Sequence, residues 1–390
     1  MPNVVFQIEG GSAVTAACQV GDNLLELARR SNVAIDAPCS GNGSCGKCRV
    51  KLLNGEVETF PSRHISEEEF AEGWRLSCNC KVLTDCTVFV PDIASAYKSR
   101  MKTADLSSPE EVAIFEKAKT EMTGGGIAFE NSFRSFVVTM AAPTLDDTMP
   151  DVERLTWAVQ DALGVEKVEI PYAVMVKMAS TLRKYDFTVC VKGELKGDTF
   201  TCMELCAPED TAIVGCAIDI GTTTVTMVLV DLESGKILAK GSSGNGQIRY
   251  GADVINRIIQ QGKEGGRKNL QNAIIKETIT PIIANLCKSA NISATSILRL
   301  CVAANTTMNH LFVGVDAEPV RMEPYIPSFF GWEGLKAGDL KLPANPLAPV
   351  LIAPNIGSYV GGDITAGTLA TMIWDKDEMS LFIDLGTKIL

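Results

Sequence analysis

Three cysteines crowd into one glycine-rich stretch, Asp36-Ala37-Pro38-Cys39-Ser40-Gly41-Asn42-Gly43-Ser44-Cys45-Gly46-Lys47-Cys48, with the spacing C-x5-C-x2-C. A fourth, Cys78, follows Cys48 after 29 intervening residues. A [2Fe–2S] cluster takes four thiolates. It also needs backbone close enough to aim N–H groups at its sulfurs. Gly41, Gly43 and Gly46 permit that approach, because glycine accepts positive φ and adds no Cβ. Zinc usually takes two pairs of close ligands, and only one close pair is present here. Cys39, Cys45, Cys48 and Cys78 are therefore the expected cluster ligands. The other nine of the 13 cysteines read as small core residues. Among these, Cys80 lies near enough to Cys78 to be an alternative ligand.

At 390 residues the chain predicts two or three domains, and an apolar content of 46% supplies real cores. A net charge of −11 argues against a nucleic-acid partner, which would want a basic face. No run of 18 or more apolar residues is present, so no membrane span is predicted. The N-terminus, Met1-Pro2-Asn3-Val4-Val5-Phe6-Gln7, has no signal-peptide pattern. With cysteines this dilute, reduced thiols and a cytoplasmic location are expected.

In chain order, residues 3–8 and 13–17 predict two strands around Gly10-Gly11. Asp22 is placed to cap a helix over 23–30. After the cysteine loop, 49–53 predicts a strand, and Asn54-Gly55 suits a hairpin turn. Ser66 and Glu69 form a capping box for a short helix, and 86–90 a last strand. This order predicts a β-grasp domain over 1–93. Residues 94–131 read as a linker with a helical arm. The arm starts at Ser108-Pro109-Glu110-Glu111, carries Val112, Phe115, Ala118 and Met122 on one face, and ends at Gly124-Gly125-Gly126. Residues 132–208 predict a small α+β middle domain: a strand at 136–140, a helix ended by Gly164, a second helix from Pro171, and a hairpin around Lys196-Gly197-Asp198.

The last region, 209–390, begins with an apolar strand running into Asp219-Ile220-Gly221-Thr222-Thr223-Thr224, then two further strands. An aspartate at a strand end can hold Mg²⁺ through water, a glycine lets N–H groups reach phosphate oxygens, and threonine hydroxyls add donors. Tyr250–Arg257 predicts a helix start, and 298–304 a strand leading into Asn305-Thr306-Thr307-Met308-Asn309-His310. His310 reads as a structural histidine, and Asp363 as a candidate metal-water ligand. Leu381–Ile383 predicts a strand ending in Asp384-Leu385-Gly386-Thr387, which repeats the Asp219–Thr222 pattern.

The spacing C-x5-C-x2-C-x29-C resembles the [2Fe–2S] ferredoxins. The paired Asp-x-Gly-Thr loops resemble the phosphate loops of the actin, sugar-kinase and heat-shock-chaperone ATPase superfamily. The combination resembles the reductive activators of corrinoid proteins, through Cys39–Cys48, Ala217–Thr224, Tyr250–Arg257 and Ala304–Leu311. The fold class expected is multidomain: a β-grasp ferredoxin domain, a small α+β domain, and a partial actin-like (ribonuclease H-like) α/β ATPase lobe. The resemblance implies a [2Fe–2S] cluster on the four cysteines. It implies ATP with Mg²⁺ on Asp219, Gly221, Thr222, Thr223, Thr224, Asp384, Gly386 and Thr387. It implies one-electron reduction of Co(II) to Co(I) in a corrinoid protein or corrinoid-dependent methyltransferase, driven by ATP and fed by a separate electron donor. Lys388 stands where the resemblance favours a small polar residue. The chain stops at residue 390, so the remaining ATPase strands and adenosine pocket are expected to be missing. The alternative is a ferredoxin-like electron-transfer protein or oxidoreductase subunit without ATPase activity.

Overall fold

The computed structural model describes residues 2–91, except 10–12, 32, 34, 38–40 and 42, and residues 109–384.

Asn3–Ile8 (β1) and Val14–Ala17 (β2) form an antiparallel hairpin. Leu24–Arg30 (α1) follows, capped by Asn23, whose Oδ1 accepts from the Leu25 and Glu26 amides. Asp22, the expected cap, instead pairs with Arg30 at 3.0 Å. Arg49–Asn54 (β3), Val57–Thr59 (β4), Glu67–Ala71 (α2), Trp74–Leu76 (β5), Cys80–Val82 (β6) and Cys86–Val90 (β7) complete the unit. The Ser66–Glu69 capping box is present as the sequence predicts. The main sheet runs β2-β1-β7-β3-β5, with β1 and β7 parallel. Phe6, Leu24, Leu27, Val50 and Val88 fill the space between α1 and this sheet. That is the β-grasp arrangement. The Asn54-Gly55 turn does not close a β3–β4 hairpin, because β4 pairs with β6 in a separate ribbon. Gly55 has φ +89°, and a Cβ there would collide with the Asp85 carbonyl. Glycine is needed at this crossing, but the turn redirects the chain to another sheet.

Pro109–Gly124 (α3) is the helical arm. Of its predicted apolar stripe, Phe115 is exposed while Ala118 and Met122 are half-buried. Phe133–Thr139 (β8), Asp151–Leu163 (α4), Lys167–Glu169 (β9), Tyr172–Lys184 (α5), Thr188–Lys196 (β10) and Thr199–Cys206 (β11) build the second unit, a sheet of order β8-β10-β11-β9. Gly164 ends α4 in the left-handed region at φ +69°. Strand β9 is too short to show a sequence period.

The third unit comprises Val214–Ile220 (β12), Thr224–Asp231 (β13), Ile237–Gly244 (β14), Val254–Gln261 (α6), Gly266–Ile274 (α7), Thr280–Ala290 (α8), Ile297–Ala304 (β15), Thr306–Val313 (α9), Val350–Ile352 (β16) and Gly362–Thr371 (α10). Its sheet runs β14-β13-β12-β15-β16, with β12, β15 and β16 parallel. The order 3-2-1-4-5 is that of ribonuclease H-like lobes. Alternate residues of β12 divide between its faces. Cys216, Ile218 and Ile220 enter the core shared with α7 and α8, while Ala217 and Asp219 face outward. The strand expected at Leu381–Ile383 is not formed. No described strand pairs with this stretch and Leu381 is 83% exposed, so its backbone groups have no ladder to join.

The units touch through polar side chains. Arg29 of α1, almost fully buried, donates to the Arg249 carbonyl at 3.4 Å, and Glu26 pairs with Lys263 at 2.7 Å. Lys192 of β10, fully buried, reaches Asp210 Oδ1 at 2.9 Å and Ser296 Oγ at 3.0 Å.

Candidate functional site

Cys48 directly precedes β3, and Cys78 lies in the helical turn Ser77–Asn79 between β5 and β6. The Ser77 amide donates to the Cys48 carbonyl at 2.9 Å, which brings the Cys48 and Cys78 sulfurs to 3.2 Å. This is a contact and not a bond, since a disulfide is about 2.05 Å long. The Asn23 amide Nδ2 donates to the Cys78 carbonyl at 2.7 Å, so the residue that caps α1 also fixes the cysteine. Cys45 is half-buried on the facing loop. Cys39 lies outside the described residues. Among the described residues no three metal-binding side chains converge.

The loop nonetheless fits a cluster in its backbone. Gly41, Gly43 and Gly46 have φ of +92°, +79° and +68°, all in the left-handed region. A Cβ on Gly46 would lie 2.5 Å from the His64 ring, and one on Gly41 would lie 3.0 Å from Leu25 and 3.6 Å from Cys78 Cβ. A side chain is thus excluded at Gly46 by His64 and is tight at Gly41 beside Cys78. Cys80 does not share this site. Its thiol donates to the Leu76 carbonyl at 3.3 Å in the core, and burial pushes its pKa up to about 11. A thiol held neutral is a poor metal ligand.

The second site lies at the carboxyl ends of β12, β15 and β16. Asp219 is the penultimate residue of β12, and Gly221-Thr222-Thr223 links the strand to β13. A Cβ on Gly221 would sit 2.7 Å from the Thr224 carbonyl, so the turn closes only on glycine. Buried polar groups pin it from beneath. Asn245 donates through Nδ2 to the Gly221 carbonyl at 2.9 Å and through its amide to the Thr223 carbonyl at 2.8 Å. Arg257 of α6 donates to the Thr222 carbonyl, to the Gly251 carbonyl at 2.9 Å and to Gln247 Oε1 at 3.3 Å. Its burial is complete and pulls its pKa down to about 9, so it remains a cation at neutral pH. Asn305 caps α9 and donates to Thr222 Oγ1 at 3.4 Å.

Asp219 has its pKa pushed up to about 6, first by desolvation and then by the charges of Asp363 and Asp384. Asp363 lies in the first turn of α10. Asp384 is exposed, and Gly386, Thr387 and Lys388 lie outside the described residues. Three carboxylates thus share one field. An apolar cavity of about 1180 Å³ opens beside Asp219, along the outward sheet face and against Trp332 and Leu369. His310 is structural: Nδ1 donates to the Thr306 carbonyl at 2.7 Å, Nε2 accepts from the Ser328 amide at 3.1 Å, and the ring stacks on Phe329 at 4.3 Å. Burial lowers its pKa, consistent with a neutral ring. The motifs read from the sequence do not include Asn245. Its signal is Gly244-Asn245-Gly246, an amide between glycines at a strand end.

Family profiles match three parts of the chain: a 2Fe-2S iron-sulfur cluster binding domain over residues 7–83, the RACo linker region over 123–199, and the RACo middle region over 214–376. The corrinoid activation enzyme RamQ of Eubacterium limosum is 38% identical over 175 residues, which cover 45% of this chain and 29% of RamQ. One component of the Na(+)-translocating NADH-quinone reductase of Pseudoalteromonas atlantica is 36% identical over 91 residues, covering 23% of this chain and 22% of that component. Among solved structures, a reductive activator for corrinoid, iron-sulfur protein superposes with a TM-score of 0.56 at 31% identity, over 99% of this chain and 60% of its own. The chain thus spans less than two thirds of each of these relatives: 60% of the activator structure, 29% of RamQ and 22% of the reductase component. Across nearly all of its own length it is similar to the reductive activators of corrinoid proteins.

Proposed function

We propose that this chain is the electron-carrying and phosphate-gripping part of an ATP-dependent reductive activator of a corrinoid protein. The observation that carries the reading is the union, in one chain, of a glycine-lined cysteine loop and a 3-2-1-4-5 lobe whose first loop presents Asp219, Gly221 and Thr222–Thr224. When bound, a [2Fe–2S] cluster supplies one electron for reducing Co(II) to Co(I) in the partner corrinoid. Plant-type clusters sit near about −400 mV, and each ~59 mV of mismatch in a one-electron transfer is a factor of ten. A corrinoid cobalt harder to reduce than this needs an added free-energy source.

Cys39, Cys45, Cys48 and Cys78 are the thiolates that hold the cluster. Asn23 fixes the Cys78 backbone. Asp219, with Asp363 and Asp384 in its field, would hold Mg²⁺, whose charge would offset their mutual repulsion. The amides following Gly221 and the hydroxyls of Thr222, Thr223 and Thr224 take phosphate oxygens, while Asn245 and Arg257 keep the turn in shape. Gly386 and Thr387, which lie outside the described residues, are assigned to phosphate by their repeat of the Asp219–Thr222 pattern. Nucleotide binding acts on the grip between activator and corrinoid protein. It shifts the cobalt only through unequal affinity for the two partner states.

The test is anaerobic titration of the purified chain with a Co(II) corrinoid protein, an electron donor and MgATP, followed by visible and electron paramagnetic resonance spectroscopy. Cluster signals with ATP-dependent Co(I) are expected. Cluster signals with ATP-independent electron transfer would favour a plain carrier, the reading to which the match with the quinone reductase alone points. Absence of a cluster would overturn both.

A further inference from the structure

Cys190 of β10 and Cys206 of β11 stand directly opposite each other in the antiparallel register. Opposed residues share one sheet face, with Cβ atoms about 4.5–5.5 Å apart. A disulfide joins Cβ atoms about 3.5–4.5 Å apart. A small local shift is therefore enough to bond the sulfurs. The Cys206 thiol donates to the Asp210 carbonyl at 3.3 Å and lies 3.8 Å from the Cys190 carbonyl. Ser135 Oγ, on the neighbouring strand β8, is 3.3 Å from Cys190 Sγ.

These contacts favour a thiolate. Cys206, then Ser135 and the Lys192 ammonium, bring the Cys190 pKa below the ordinary thiol range against the effect of burial, while Cys206 is held up as the protonated partner. The other core cysteines behave oppositely. Burial pushes Cys202 and Cys216 up to about 12 and Cys86 up to about 11. Cys190 is fully buried and Cys206 is half-exposed, so the pair opens to solvent on one side.

We propose that Cys190 and Cys206 form a redox-active dithiol site that closes to a disulfide by exchange with a small-molecule disulfide. Cys206, the partner that reaches solvent, loses its proton and attacks one sulfur of the oxidant, and the first small thiolate leaves and takes up that proton. The Cys190 thiolate then displaces the remaining small thiolate, which takes a proton from solvent, leaving the Cys190–Cys206 bond. One oxidant disulfide is reduced to two thiols, and the two protein thiols are oxidised. Closure withdraws the Cys206 S–H from the Asp210 carbonyl. Asp210 also holds Lys192, which bridges to Ser296 of the third unit, so the bond forms at the joint leading into β12. This site stands independently of the activity proposed above.

The test incubates the full chain, purified anaerobically, with graded ratios of oxidised to reduced glutathione. Alkylation and peptide mass spectrometry then report each cysteine separately from any loss of cluster colour. The expected result is a cross-linked 190–206 peptide, lighter by two hydrogens, that appears with a sharp midpoint and reverts with dithiothreitol. Cys202 remains alkylatable throughout. In Cys190→Ser, a glutathione adduct should persist on Cys206. The wild-type map decides the matter even where that variant fails to fold. Recovery of Cys190 and Cys206 as separately alkylated residues at every ratio, or as lasting glutathione adducts in the wild type, would overturn the proposal.

Discussion

Replacing Arg257 tests the account of the phosphate loop. Its guanidinium satisfies three buried acceptors, the Thr222 and Gly251 carbonyls and Gln247 Oε1, and no side-chain carboxylate pairs with it among the described contacts. Each acceptor left buried without a donor costs about 1–3 kcal/mol. Partial relaxation makes the sum smaller than three independent losses, so Arg257→Met should destabilise the third unit by about 3–5 kcal/mol, the lower part of the summed range. Methionine keeps much of the volume and packs against Met308, so a cavity contributes little to this figure. Arg257→Lys keeps the charge but not the fork, and should lose about 1–3 kcal/mol. The assay is urea unfolding followed by amide hydrogen exchange in β12 and β13. With a slope of about 1–3 kcal/mol per molar, the midpoint for Arg257→Met should fall by at least about 1 M. MgATP affinity should fall with it, because the Thr222 carbonyl is what the guanidinium positions. An Arg257→Met chain within about 0.5 kcal/mol of wild type would refute the reasoning.

Three further outcomes are expected. Cys78→Ser should abolish the visible absorption of the cluster while Cys80→Ser keeps it and only weakens the core; the reverse pattern would reassign the ligand. Asn23→Ala should cost the first unit about 2 kcal/mol, about 1 from the lost cap and about 1 from the Cys78 carbonyl; Asn23→Asp, which keeps the cap, should cost about half, and equal thermal shifts in the two would refute the double role. Asp219 takes up its proton near pH 6 in the folded chain, above the ordinary carboxylate range. Its contribution to stability therefore rises as pH falls through about 6 toward 4, an effect absent in Asp219→Asn. Mg²⁺ needs the ionised form, so its affinity, read by calorimetry, should drop about tenfold per pH unit below about 6.

Much of this is legible in local sequence. The cysteine spacing, the Ser66–Glu69 box, Gly164 and the Asp219–Thr224 turn all act over a few residues, where side-chain chemistry fixes backbone geometry directly. What is not legible depends on distant chain. Asn54-Gly55 carries the composition of a hairpin, but β3 is taken by β5 and β7, and only the assembled sheet decides that. Phe115 follows a helical period that the structure leaves uncovered. Leu381–Ile383 has strand composition and no partner strand among the described residues. Cys190 and Cys206 read as isolated core residues because a pairing register cannot be read across a hairpin containing a bulge at Lys192-Gly193. The three groups that hold the Gly221–Thr223 turn come from residues 245, 257 and 305, and their meeting follows from the topology.

The parallel pairing of β1 with β7 also sets an order of events during synthesis. Val4 pairs with Cys86 and Ile8 with Val90, so the first strand made waits for the last before it has that neighbour. The cysteine loop and Cys78 lie within the span so closed. Such long-range closure is slow and all-or-none compared with local hairpins. A nascent chain released from the ribosome before residue 86 has every expected ligand cysteine but no closed sheet to hold their loops. Metal loading should therefore follow completion of this unit, and N-terminal fragments ending between residues 79 and 85 should fail to retain iron while one ending just past 91 succeeds.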